Sequence, residues 1–329
     1  MRKQATRIRC ICSRFSVLCA ALSIATAVAA QTPTAKPPDL AAIRTAQPPS
    51  LDGRGDDPAW QGRAPVVLTA NGVMPRTRGT STKVELRAAY TDTHLYILAT
   101  WDDATKDDVG HRTWRWDAEK KSYVEDADRE DMFAIASQHT GPFVADMLAG
   151  VEATWDLWHW KAFRTNPQGY AMDKTHRYTD AQPAGTANKH AAADGSDTWI
   201  GRPQDAGDTV EVQHPAPTAF KGERVPRYSA GQPTGSAADV TAKGAWVNGK
   251  WTLEFSRRLD TGYPDDTAFK LGQVYRMAIA SMTERATWTR LLRRSFSVFE
   301  SECASCVRLA AEVSQLLEYD ISDHRSSIG

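Results

Sequence analysis

The sequence predicts an all-β protein, an antiparallel β-sandwich carrying a long, partly ordered insertion and an atypical C-terminal tail of helical pattern. Three observations lead there: apolar alternation of period two recurs along the chain, turn signals separate the alternating segments, and helical periodicity is nearly absent before the tail. Val84, Leu86, Ala88 and Tyr90 alternate with Lys83, Glu85 and Arg87, as in a strand with one buried face. Residues 91–93 (TDT) turn the chain into Leu95 to Trp101, a nearly continuous apolar run, and the two segments form a hairpin. Residues 131–136 (DMFAIA) and 155–162 (WDLWHWKA) supply two more strands. Val240 to Val247 and Lys250 to Leu259 flank Asn248-Gly249, the preferred pair for a type I′ turn, with Trp251, Leu253 and Phe255 alternating beyond it. Residues 273–280 (QVYRMAIA) form a further strand.

The flanking segments set the compartment. Arg2, Lys3, Arg7 and Arg9 precede an apolar run from Phe15 to Ala30 that ends in small residues, and this run is shorter than the ~20 residues of a membrane span. Residues 1–30 therefore read as a secretory signal peptide and the protein as periplasmic. Residues 31–50, with five prolines, form a leader; 51–290 form one domain, of which 171–239 are a loop insertion; 291–329 are a divergent tail. No later segment is apolar enough to span a bilayer. Forty basic and forty acidic side chains give formal neutrality, so no basic surface invites nucleic acid. Of five cysteines only Cys303 and Cys306 survive removal of the signal. Val307 stands where covalent haem attachment needs histidine, so the pair is expected to close as a disulfide.

Residues 155–161 (WDLWHWK) concentrate three indoles, an imidazole and an ammonium in one strand. Alternation puts Trp155, Leu157, His159 and Lys161 on one face and Asp156, Trp158 and Trp160 on the other. Two indoles suit a flat apolar partner, while the opposite face offers a nitrogen ligand and a cation. A haem meets both descriptions. The run 156–173 (DLWHWKAFRTNPQGYAMD) resembles the ethylbenzene-dehydrogenase-related haem-binding domain, the b-haem subunit of type II molybdenum enzymes of the dimethyl-sulfoxide-reductase type. Residues 51–60 (LDGRGDDPAW), 83–90 and 94–103 resemble the opening of that domain, and also that of family-nine carbohydrate-binding modules; residues 244–262 resemble its late hairpin.

The resemblance implies a non-covalent b haem held by two axial ligands: a methionine before the tryptophan-rich run and a lysine or histidine on the last strand. Met147 is the candidate methionine, with Met132 the runner-up. The last strand offers no histidine or lysine and only Met282 as a soft donor, so either the tail has removed the second ligand or His159, another histidine or Met282 takes its place. Trp158, Trp160, Lys161 and Arg164 are candidate cofactor contacts, the two cations as propionate partners. His111, His139, His176 and His190 read as surface histidines. Catalytic residues are not expected, since no nucleophile elbow, carboxylate pair, phosphate loop or zinc motif is present. The function implied is electron transfer to a redox partner, a molybdoenzyme or a membrane cytochrome. Its rivals are a secreted carbohydrate-binding module and a haem-free structural subunit. From Leu291 the resemblance ends, and Val307, Ala310, Val313, Leu316 and Leu317 are spaced as in a helix.

Overall fold

A computed structural model describes residues 39–62, 64–71, 81–143, 147–192 and 195–282, with the backbone of 308–312. The expected signal peptide, most of the leader, the cysteine pair and most of the tail lie outside the described residues. Strands follow one another along the chain: β1 (Asp39–Arg44), β2 (Val66–Asn71), β3 (Ser81–Tyr90), β4 (His94–Asp102), β5 (Trp114–Asp117), β6 (Ser122–Glu125), β7 (Met132–Thr140), β8 (Ala153–Lys161) and β9 (Met172–Thr179). They continue with β10 (Ala187–Ala191), β11 (Asp197–Gly201), β12 (Glu211–Gln213), β13 (Arg224–Val225), β14 (Tyr228–Ala230), β15 (Thr241–Val247), β16 (Lys250–Arg258), β17 (Val274–Met282) and β18 (Arg308–Glu312). Helix is confined, among the described residues, to three short 3-10 turns.

The strands build two layers. The front sheet runs β10-β11-β9-β8-β7-β17 and the back sheet β1-β3-β4-β16-β15, with β2 beside β3. β18 joins them, parallel to β17 and antiparallel to β1. Each sequence-predicted hairpin is present: Tyr90 pairs with Leu95, Val247 with Lys250, and Asn248 and Gly249 both take positive φ (51° and 82°), as a type I′ turn demands. Between the sheets, Phe133, Ile135, Trp158, Trp160, Met277 and Ile279 of the front meet Val84, Leu86, Ile97, Trp101, Trp251, Leu253 and Phe255 of the back. Ring contacts knit this core, with Trp101 5.0 Å from Phe133 and Trp160 5.0 Å from Trp251 between centroids.

Two expectations are corrected. Residues 171–239 are not simply a loop, because β9 to β11 extend the front sheet and β12 to β14 form small ladders. The sequence of β9 hides this, since its buried positions carry Asp173, Lys174, Thr175 and His176, polar groups whose burial comes from packing on β8. In the tail, 308–312 is a strand within the helically spaced segment, where hydrogen bonding to strands on both sides outweighs the weak preference of a short apolar pattern.

The turn after β8 clamps the two sheets together. Asn166 Oδ1 accepts from Trp160 Nε1 (3.0 Å) and from the Gly244 amide (2.7 Å), and its Nδ2 donates to the Gly244 carbonyl (3.0 Å). Gly169, at φ 79°, then turns the chain so that its carbonyl accepts from Ala242 on β15. The polar residues trailing the tryptophan-rich strand thus have a mechanical explanation.

Candidate functional site

β7, β8 and β17 are buried on both faces, which an ordinary two-layer sandwich does not require. The alternation read from the sequence holds: Trp158 and Trp160 point into the inter-sheet core, while Trp155, Leu157, His159 and Lys161 share the outward face. Register assembles that face row by row. Met282, Met132 and Lys161 lie side by side, then Ala280, Ala134, His159 and Met172, then Ala278, Ala136, Leu157 and Lys174. Ala134, Ala136, Ala278 and Ala280 form a floor with no side chain beyond Cβ. Met147, Phe143, Trp155, Tyr178 and Ile200 pack against it as a second apolar cluster. Phe143 lies 4.7 Å and Tyr178 4.5 Å from Trp155.

A polar network closes the Lys161 end. Lys161 Nζ donates to Glu211 Oε1 (2.8 Å) and approaches Met172 Sδ (3.5 Å). Arg164 donates to Glu130, to Glu211 Oε1 (3.0 Å) and to Met132 Sδ (3.5 Å), and its guanidinium lies 4.6 Å above the Tyr228 ring. Glu130 also accepts from the backbone amides of Phe163 (2.6 Å) and Arg164 (2.9 Å). Burial pushes the Glu130 carboxyl upward, with Arg164 opposing that shift. The two cations are therefore met by two carboxylates within the protein. Glu130 and Glu211 escaped the sequence reading, since a lone glutamate 34 or 50 residues from its partner carries no local signal.

Each sequence-predicted residue can now be placed. Met147, His159, Met132 and Met282 all border the outward face. Trp158 and Trp160 lie beneath it, in the core. Lys161 and Arg164 sit at its end, engaged with Glu211 and Glu130. Two histidines expected at the surface are buried instead: His111 Nδ1 lies 3.3 Å from Glu130 and stacks edge-on with Tyr228, and His176 Nδ1 lies 3.2 Å from the Tyr178 hydroxyl. Trp155, Trp158 and Trp160 are all at most 1% exposed, so none presents a ring face to a sugar. Elsewhere, a pocket of about 260 Å³ lies beside β1, β2 and β3, lined by Leu40, Trp60, Val66, Leu86 and Arg87.

The architecture defines a β-sandwich whose front sheet carries a second apolar cluster on its outward face. The sequence matches the family described as ethylbenzene dehydrogenase over residues 57–290, more than two thirds of the chain, and the chain belongs to that family. No curated protein matches it. Among the described residues no helix is long and apolar enough to cross a membrane.

Proposed function

We propose that this chain is a non-covalent b-haem-binding, electron-transferring protein or subunit of a periplasmic redox system, with the haem seated on the outward face of β7, β8 and β17. The observation that carries the reading is the alanine floor bordered by soft donors. Four residues without side chains beyond Cβ make a flat surface beneath the second apolar cluster, and the thioethers of Met147, Met132 and Met282 and the imidazole of His159 lie around it. That donor set fits haem iron, and family membership supports the same group. Bound there, a b haem supplies one-electron exchange between ferric and ferrous iron, and thioether ligation favours the ferrous form.

The chain's own residues do the rest. Met147 and His159 are the residues assigned to hold the iron, with Met132 and Met282 as alternatives. Arg164 already donates to the Met132 sulfur, which lowers that thioether's availability. Trp158 and Trp160 stiffen the floor from beneath. The network of Lys161, Arg164, Glu130 and Glu211 keeps the end of the face near electrical neutrality. Trp155, Phe143 and Tyr178 exclude water. The protein acts as a carrier rather than a catalyst, passing electrons to a partner protein, a molybdoenzyme or a membrane cytochrome.

The test is spectroscopic. Protein purified from a haem-sufficient periplasm should show a Soret band and a sharp reduced α-band, and acid-acetone should extract the pigment. Met147→Ala should abolish the methionine-ligated spectrum or lower the potential by more than ~100 mV, since axial ligation spans ~0.8 V. His159→Ala should remove the low-spin spectrum from a folded protein. Colourless wild-type protein after haem reconstitution overturns the reading and leaves a haem-free structural subunit.

A further inference from the structure

On the inward face of the same strands, away from the alanine floor, three buried carboxylates converge. Asp156 comes from β8, Asp173 from β9 and Asp266 from the β16–β17 connection, and one oxygen of each lies within 4.8 Å of the others. The cluster contains one guanidinium. Arg257 Nη1 donates to Asp156 Oδ2 (2.5 Å) and Asp266 Oδ1 (3.3 Å), its Nη2 donates to the Thr267 carbonyl, and its Cζ lies 5.1 Å from the centroid of the Trp158 ring. Asp156 Oδ2 also accepts the Thr267 amide (2.9 Å), and Asp266 Oδ2 the Thr261 hydroxyl (2.6 Å). Asp173 differs from both. It is 1% exposed, and among the described residues neither of its oxygens has a hydrogen-bond partner; Asp156 Oδ1 lacks one as well.

An ionised carboxylate this deep costs several kcal/mol to remove from water, and the one cation nearby, Arg257, is already engaged by Asp156 and Asp266. Arg257 supplies one positive charge against three negative ones. A divalent cation brings the group to zero. Oxygen-only donors select a hard ion, and two oxygens bound to one calcium at ~2.3–2.6 Å lie no more than ~5 Å apart, which the observed spread satisfies. Magnesium prefers to keep several waters, which a site this buried does not favour. We propose that Asp156, Asp173 and Asp266 bind a calcium ion, tying β8 and β9 to the connection that leads into β17. Asp205, whose Oδ1 accepts the Thr175 hydroxyl at 3.0 Å, stands outside this ligand set.

The experiment uses the full purified chain, prepared without chelator for elemental analysis and then stripped. One calcium per chain is expected. Restoring calcium at 100-fold above its Kd should raise the melting temperature by at least about 5 °C. Terbium, bound in calcium's place, should luminesce on tryptophan excitation because Trp158 adjoins the cluster. Asp173→Asn, close in shape and uncharged, should fold yet lose both the calcium response and the terbium signal. Should that variant fail to fold, Asp266→Asn, on the connection, should weaken calcium binding at least tenfold. Identical melting of wild type in chelator and in calcium overturns the proposal. So does a calcium response retained by Asp173→Asn, or one matched by magnesium.

Discussion

Gly244→Ala tests the clamp between the sheets. A Cβ at this position meets Trp160 Cζ2 at 2.6 Å, Cε2 at 3.1 Å and Cη2 at 3.3 Å, against an optimum of ~3.5–4.0 Å. The indole has little freedom to retreat, being fully buried, boxed by Trp251 and Trp101 with centroids 5.0 and 6.3 Å away, and tethered through Nε1 to Asn166. Backing β15 away instead stretches both hydrogen bonds between Asn166 and the Gly244 backbone. Overpacking of this kind costs ~1–3 kcal/mol, and weakening a buried hydrogen bond adds ~1 kcal/mol. Removing glycine's freedom from the unfolded chain returns ~0.4–1 kcal/mol. The expected net loss is about 2–3 kcal/mol, read from urea unfolding, or a melting temperature lower by roughly 5–10 °C. In a Trp160→Phe background the same change should cost at least ~1 kcal/mol less, since the smaller ring vacates the colliding atoms. A loss below ~0.5 kcal/mol in the wild-type background, or equal costs in both backgrounds, would refute the clamp.

Other expectations concern buried charge. Asp131, pushed up to about 8 by burial beside Asp103, and Asp205, raised by burial to about 7, hold protons in the folded protein that the unfolded chain releases above its carboxyl value of 3.8. In chelator, stability should therefore fall as pH rises from about 4 through 7 to 8; a melting temperature that climbs over that interval contradicts the assignment. Glu130→Ala removes one of the two carboxylates that meet Arg164 and leaves two backbone amides without their acceptor, and should cost ~3–5 kcal/mol in urea unfolding; a loss under ~1 kcal/mol would show that the network does not hold the end of β8. Trp158→Ala should cost ~3–5 kcal/mol through core truncation, whereas retention of wild-type stability would mean that the indole is not packed as described.

Much of this fold is legible along the chain because its hairpins are local. Asn248-Gly249, the alternation beyond Trp251 and the apolar run of β4 each carry their own signal, and so does the division of β8 into Trp158 and Trp160 on one side and His159 and Lys161 on the other. What escapes is what depends on distant partners. β9 looks like loop because Asp173 and Thr175 occupy inward positions and Lys174 and His176 outward ones, all hidden by neighbours from elsewhere in the chain. The alanines at 134, 136, 278 and 280 look like unremarkable strand residues until pairing of β7 with β17 lays them side by side. Glu130, Glu211 and Asp266 acquire meaning only when turns bring them to Arg164, Lys161 and Arg257.

The pairing of β4 with β16 imposes an order on folding. Trp101 finds Trp251 only after 149 intervening residues have been made and gathered in, and nine residue pairs depend on that closure. Until then Leu95, Tyr96, Ile97, Leu98 and Ala99 form an uncharged, strand-forming edge with one side unpaired, the kind of segment that templates intermolecular association. Topologies dominated by such distant pairings fold slowly. A newly made chain is therefore most vulnerable to aggregation after its first hairpin forms and before its last one docks. In overexpression that interval, rather than the stability of the finished sandwich, should set the yield of soluble protein, and a holding chaperone or a slower synthesis rate should raise it.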